Sequence, residues 1–132
     1  MLKGYIEGYY GRLFSQEERS LLLRHMGKLK MDFYLYGPKE DPYHRVLWEK
    51  PYPSKYEKAL EDFVKQSKKN KIRPVFAISP GLKGNKSIAH YRKFLAIKIK
   101  QAKRLGFEEF AIFFDDIDHK RDEGLATKHL EI

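Results

Sequence analysis

At 132 residues the chain is one domain by length, and its 42% hydrophobic and 14% aromatic content excludes a disordered protein. It has no cysteine, which excludes disulfides, zinc-thiolate sites and a thiol nucleophile; no apolar run could cross a bilayer, and Met1-Leu2-Lys3-Gly4 does not open a signal peptide. The 27 basic against 18 acidic residues give a net charge of +9, which raises a polyanion as partner, but Lys65, Lys68, Lys69, Lys71, Lys93, Lys98, Lys100, Lys103 and Arg104 are spread as on solvated outer helix faces.

Leu2 to Glu7 reads as a strand, followed by a Gly-Tyr-Tyr-Gly turn. Ser15 then opens a helix with a capping box, its hydroxyl taking the N–H of Glu18 while Glu18 reaches back. Leu21, Leu22, Met26 and Leu29 mark the apolar face of that helix, and Gly27 is its weak point. Asp32 to Tyr36 reads as a compact aromatic strand ended by Gly37-Pro38. Lys39 to Pro53 is a long polar loop, rich in aromatic and ionisable residues, of the kind that carries function. Within it, His44 is expected to pin the loop instead of moving protons.

Ser54 and Glu57 predict a second capping box, for a helix with Tyr56, Leu60, Phe63 and Val64 on one face. Arg73 to Ser79 reads as the third strand, ended by Pro80-Gly81. Ser87 to about Leu105 is the third predicted helix, with Ile88, Tyr91, Leu95, Ile99 and Ala102 inward and Gly106 at its end. His25 and His90 fall in predicted helices, as surface or core-edge residues. Glu109 to Phe114 is the fourth strand, closed by Asp115 and Asp116.

This alternation of strand and helix argues for an α/β fold with a parallel sheet and right-handed crossovers. An open doubly wound sheet and part of a (β/α) barrel both satisfy it. Gly8-Tyr9-Tyr10, Pro38-Lys39, Ser79-Pro80-Gly81 and Asp115-Asp116 each follow a strand, so all fall on one carboxyl-end face. A single site built from four successive loops favours the barrel. Adjacent carboxylates push one proton affinity up, which suits Asp116 or its neighbour to general acid work. Capping of a following helix is an equal alternative for the pair on residue type alone. Asp118 and His119 extend it to a run that could suit a divalent metal, but no upstream cluster supplies further ligands, so no metal is expected.

Four blocks carry a family resemblance: Glu7-Gly8-Tyr9-Tyr10-Gly11-Arg12, Tyr36-Gly37-Pro38-Lys39-Glu40-Asp41-Pro42-Tyr43-His44-Arg45, Ala77-Ile78-Ser79-Pro80-Gly81-Leu82 and Phe114-Asp115-Asp116-Ile117. In this order, each at a predicted strand end, they resemble glycoside hydrolase family 84. That family holds protein O-GlcNAcases and bacterial β-N-acetylglucosaminidases, some labelled hyaluronidases. The resemblance implies a TIM-type (β/α)8 barrel that removes terminal β-linked N-acetylglucosamine with retention, by substrate-assisted catalysis through an oxazoline. It implies Asp115 as the carboxylate that orients the acetamido group and Asp116 as general acid and base. Gly8 would let the backbone approach the sugar, Lys39 would bond a sugar hydroxyl, and Tyr9, Tyr10 and Arg12 would shape the first loop. No cofactor is implied. Departures from the family pattern are Gly37 for Ala, Glu40 for Asp and Leu13-Phe14 for Pro-Trp.

A whole barrel of this kind needs about 250 residues. The chain is therefore expected to be a single partial barrel over residues 1–132, the N-terminal half of a catalytic domain truncated after its fourth strand and inactive or nearly so alone. A completed assembly, by self-association or pairing with a separate C-terminal half, is the second expectation. The third is a non-catalytic remnant that binds carbohydrate or a polyanion. The expected partner is a glycan or glycoprotein bearing N-acetylglucosamine, with no nucleic acid and no membrane, and a cytoplasmic location is weakly favoured.

Overall fold

The computed structural model describes residues 1–8, 11–81 and 86–113. The elements run β1 (Gly4–Glu7), α1 (Gln16–Lys28), β2 (Phe33–Tyr36), a 3-10 turn (Pro42–His44), α2 (Ser54–Lys69), β3 (Arg73–Ile78), α3 (Ile88–Arg104) and β4 (Glu109–Ile112). The strands pair in parallel in the order β1-β2-β3-β4. A doubly wound sheet reverses direction at a switch point, whereas strands added one after another on the same side build a barrel wall. The sheet is thus part of a (β/α) barrel, with one strand-helix crossover leading to each next strand.

Parallel pairing places Tyr5 beside Tyr34, Glu7 beside Tyr36, Tyr36 beside Phe76 and Ile78 beside Ile112. Because side chains alternate along a strand, these rows share one face. Tyr34, Tyr36, Phe76 and Ile78 from that face form one core with Leu23 and Met26 of α1, Leu60, Phe63 and Val64 of α2, and Tyr91, Leu95 and Ala102 of α3. Ile6, Leu35 and Ala77 belong to the opposite rows and stand outside that core; Ile6 is 56% exposed.

The helix ends follow local chemistry. Ser15 and Glu18 form the expected capping box, at 3.1 and 3.0 Å. The second box is absent: Pro53 is the N-cap of α2, no side chain caps it, and Ser54 is already helical. Glu57 is drawn away to Gln101 (3.1 Å) and Arg104 on α3. Leu105 closes α3, and Gly106 follows at φ 112°, a left-handed position that suits glycine.

On α1 the buried stripe is Arg19, Leu23 and Met26, whereas Leu21 and Leu29 are exposed, contrary to the expected face. The helix is rotated to bury Arg19 against a carboxylate on β1. The α2 face is as expected, with Leu60, Phe63 and Val64 buried and Tyr56 packed against the core. Lys98, expected on a solvated face, is only 2% exposed. Among the described residues, no helix is long and apolar enough to cross a membrane.

Candidate active site

The carboxyl edge of the sheet is held by backbone bonds that extend the strand ladders. Gly37 N–H donates to the Glu7 carbonyl (2.9 Å) and Phe113 N–H to that of Ile78 (2.9 Å). Gly8, Gly37 and Phe113 therefore stand along one rim with Ser79. A Cβ at Gly37 would lie 2.9 Å from the Ala77 Cβ and 3.4 Å from the Phe113 ring. Glycine there lets the rim close tightly, which gives the departure from the family's alanine a packing reason. A Cβ at Gly8 would meet the Ile6 Cγ2 at 3.4 Å and the Gly37 carbonyl at 3.8 Å, ordinary contacts among the described residues.

Beneath the β1 end, Glu7 is buried and held by three charged or polar donors. Arg19 binds it with Nε at 2.9 Å and a terminal guanidinium nitrogen at 2.8 Å, and the Tyr34 hydroxyl donates at 2.7 Å. The Arg19 guanidinium also lies 5.1 Å from the Tyr36 ring centre. Further along, Arg12 grips both oxygens of Glu18 at 2.6 and 3.1 Å, so the motif arginine fastens the first loop to the start of α1. With the help of that cation and the Ser15 N–H, the Glu18 carboxyl is held down to about 2. The loop-shaping role expected of Arg12 agrees with this contact.

The segment after β2 is not the open polar loop its composition suggested. Its 3-10 turn is capped by Asp41, whose Oδ1 accepts the Tyr43 N–H at 2.8 Å. The other oxygen of Asp41 accepts the Tyr36 and Tyr52 hydroxyls at 2.6 and 2.7 Å, in a site with no solvent exposure. Lys98 reaches this turn from α3, donating to the Tyr43 carbonyl at 2.7 Å and to the Lys50 carbonyl, with its ammonium 4.5 Å from the Tyr52 ring centre. Burial pushes the Lys98 amine down to about 8, against the pull of Asp41. Burial likewise drives the Tyr36 and Tyr52 phenols well up, and Asp41 adds to it. Trp48 stacks on Tyr91 with centroids 5.5 Å apart and sheds its exposure there, so aromatic residues in the loop are core, not display.

His44 ties the loop to the sheet. Its Nε2–H donates to the Pro38 carbonyl (2.5 Å), and its own carbonyl accepts the Ser79 N–H (2.6 Å). That is the pinning role expected of it. Burial lowers its proton affinity, and the nearby Lys39 charge works in the same direction. His90 lies at the core edge, with Nε2 2.6 Å from the Glu49 carboxylate, and His25 is exposed.

Of the residues expected to touch substrate, Gly8 and Lys39 both follow strands on the carboxyl edge, Lys39 half-buried. Asp115 and Asp116 lie outside the described residues, as do Tyr9, Tyr10, Leu82, Asp118 and His119. Among the described residues, no group of three or more His, Asp or Glu could hold a metal ion. The buried polar groups Arg19, Asp41 and Lys98 received no role from sequence. A signal existed for two of them. Lys98 falls between Leu95 and Ala102, and Arg19 precedes Leu23 and Met26, each at the spacing of its helix's buried stripe.

Comparison with known proteins agrees with this architecture. Residues 3–131 match the family described as beta-N-acetylglucosaminidase (NAGidase). The protein O-GlcNAcases of Rattus norvegicus and Mus musculus are each 36% identical over 118 residues, which is 89% of this chain and 13% of theirs. The solved structure of CpGH84B superposes with a TM-score of 0.82 at 39% identity, covering 90% of this chain and 22% of that one. A mutant of the Thermobaculum terrenum O-GlcNAc hydrolase gives 0.82 at 32% identity, covering 89% and 25%. The chain thus spans about an eighth of the length of those curated relatives and about a quarter of those solved chains. A profile match over nearly every residue, on a sheet with barrel order, places the chain in the beta-N-acetylglucosaminidase family, glycoside hydrolase family 84.

Proposed function

We propose that the carboxyl edge of this sheet supplies part of the sugar site of an O-GlcNAcase-like β-N-acetylglucosaminidase acting on glycans or glycoproteins with terminal β-linked N-acetylglucosamine. The observation that carries this reading is the family match over residues 3–131, with Gly8 and Lys39 on one rim of the sheet. In the proposed reaction the substrate's acetamido oxygen attacks C1 and closes an oxazoline as the bond to the aglycone oxygen breaks. Asp115 accepts the acetamido N–H and aligns its oxygen. Asp116 gives its proton to the leaving oxygen, then takes one from the water that opens the oxazoline with net retention. The protein thus needs one acid-base carboxyl and one orienting carboxylate, and no nucleophile of its own, unlike the two-carboxylate retaining scheme. The four strands among the described residues are half of an eight-stranded barrel, so the 132-residue chain alone is proposed to be inactive or nearly so.

Gly8 gives this reading a test that separates ligand from fold. Among the described residues a Cβ there meets only ordinary contacts, so Gly8→Ala should leave urea stability within about 0.5 kcal/mol. If the backbone at Gly8 lies against the sugar, the same change raises KM by about tenfold. The acid assignment is tested by Asp116→Asn in the protein with its barrel complete, since the 132-residue chain alone is proposed to be inactive. Its kcat/KM should fall by roughly 100-fold or more on an alkyl N-acetylglucosaminide, and by less on a nitrophenyl one whose leaving group needs little protonation. Equal losses on both substrates would remove Asp116 as the acid, and no hydrolysis by the unsubstituted protein would refute the function itself.

A further inference from the structure

The chain turns sharply after β2, and the peptide that leads into Lys39 is fixed by its carbonyl. Pro38 O accepts the Asp41 N–H at 3.1 Å and the His44 Nε2–H at 2.5 Å. His44 is fully buried, and its carbonyl receives the Ser79 N–H at 2.6 Å. One residue therefore bonds both the loop that follows β2 and the first residue after β3. Rotation of the Pro38–Lys39 peptide would swing the Lys39 Cα, and the His44 bond resists that rotation relative to the sheet. The 3-10 turn that presents His44 is itself fixed by the Asp41 cap and by Lys98 at the Tyr43 carbonyl.

We infer that His44 is a positioning residue for Lys39, acting through the Pro38 carbonyl and referenced to the end of β3. The inference rests on the sugar-binding role proposed above for Lys39. It separates His44 from a plain core histidine, whose loss would weaken the fold without regard to Lys39. The ring suits substitution. Its Nδ1 has no hydrogen-bond partner among the described residues, and Pro38 O keeps the Asp41 N–H when His44 is changed. His44→Leu thus removes one contact without stranding a buried acceptor. His44→Gln puts an amide Nε2–H near the place of the imidazole donor, while the shorter His44→Asn does not reach it.

The test is a mutant cycle in the protein with its barrel complete, with steady-state kinetics on a nitrophenyl N-acetylglucosaminide. His44→Leu is expected to raise KM about tenfold with kcat within about twofold, because a contact to a sugar hydroxyl serves ground state and transition state alike. His44→Gln is expected within about threefold of the parent. In a Lys39→Ala background, His44→Leu should add less than about twofold, since its effect passes through the missing lysine. The same loss with and without Lys39 overturns the inference. If His44→Leu does not fold, the comparison of His44→Gln with His44→Asn carries the test, and equal KM values for those two overturn it as well. An unsubstituted protein with no hydrolysis instead refutes the proposed function, and the role of Lys39 with it.

Discussion

Glu7 and Arg19 show how the motif at the end of β1 serves the fold as well as the site. Their side chains are 2% and 11% exposed, and two parallel hydrogen bonds join them. Taking both charges out of water is expensive, and the pair recovers that cost only because the fork geometry is met and Tyr34 fills a further lone pair. Removing one partner is therefore worse than removing both. Glu7→Gln leaves the Arg19 charge buried without its counter-ion and should cost about 3 kcal/mol or more in urea unfolding. Glu7→Met with Arg19→Met should cost clearly less than the sum of the single changes, because no buried charge is then stranded. Additive losses would show that the two side chains act independently. Gly8 follows Glu7 directly, so this ion pair also fixes where the rim of the proposed sugar site begins.

At the scale of elements, the two capping boxes that sequence predicts form a matched experiment. Ser15 makes both reciprocal bonds, and Ser15→Ala should cost about 1 kcal/mol of stability. Ser54 makes no cap bond, and Ser54→Ala should change denaturant stability by no more than about 0.5 kcal/mol. A loss at Ser54 as large as that at Ser15 would contradict the observed N-cap at Pro53. The difference explains what could be read in advance. Among the described residues periodicity located the three α-helices and four strands but not the 3-10 turn, since Leu60, Phe63 and Val64, or Tyr91, Leu95 and Ala102, recur at the period that burial demands. The rim residues Gly8 and Lys39 were legible because each follows an apolar strand within a distinctive block. What stayed hidden was tertiary choice. Glu57 could cap locally or reach α3, and only packing decides for Gln101 and Arg104. The rotation of α1 was half legible: Arg19 shares the spacing of Leu23 and Met26, but burying it instead of Leu21 requires a carboxylate placed by another element.

At the scale of the whole molecule, buried titratable groups on two elements and the loop ahead of α2 set opposite slopes on stability against pH. Lys98 on α3 titrates near 8 in the folded protein, below the 10.5 of an ordinary lysine. Between these values the unfolded chain holds a proton that the folded one has released, so stability rises with pH, by at most about 1.4 kcal/mol per unit. Below about 8 both states are protonated, and the slope from this group vanishes. Tyr34 and Tyr36 on β2 and Tyr52 ahead of α2 act the other way. Burial, first, and the neighbouring carboxylates Glu7 and Asp41 hold their phenols above the usual 10.0. Above about 10 the unfolded chain loses tyrosine protons that the folded protein keeps, so stability falls. The two slopes together predict a maximum between pH 8 and 10, later than the near-neutral optimum usual when carboxylates and histidines govern. Urea unfolding at intervals from pH 7 to 11 checks this, and Lys98→Met should flatten the rising limb while leaving the fall above 10. A steady decline from pH 7 upward would mean that Lys98 keeps its proton in the fold, held by Asp41 and the two carbonyls more tightly than burial opposes.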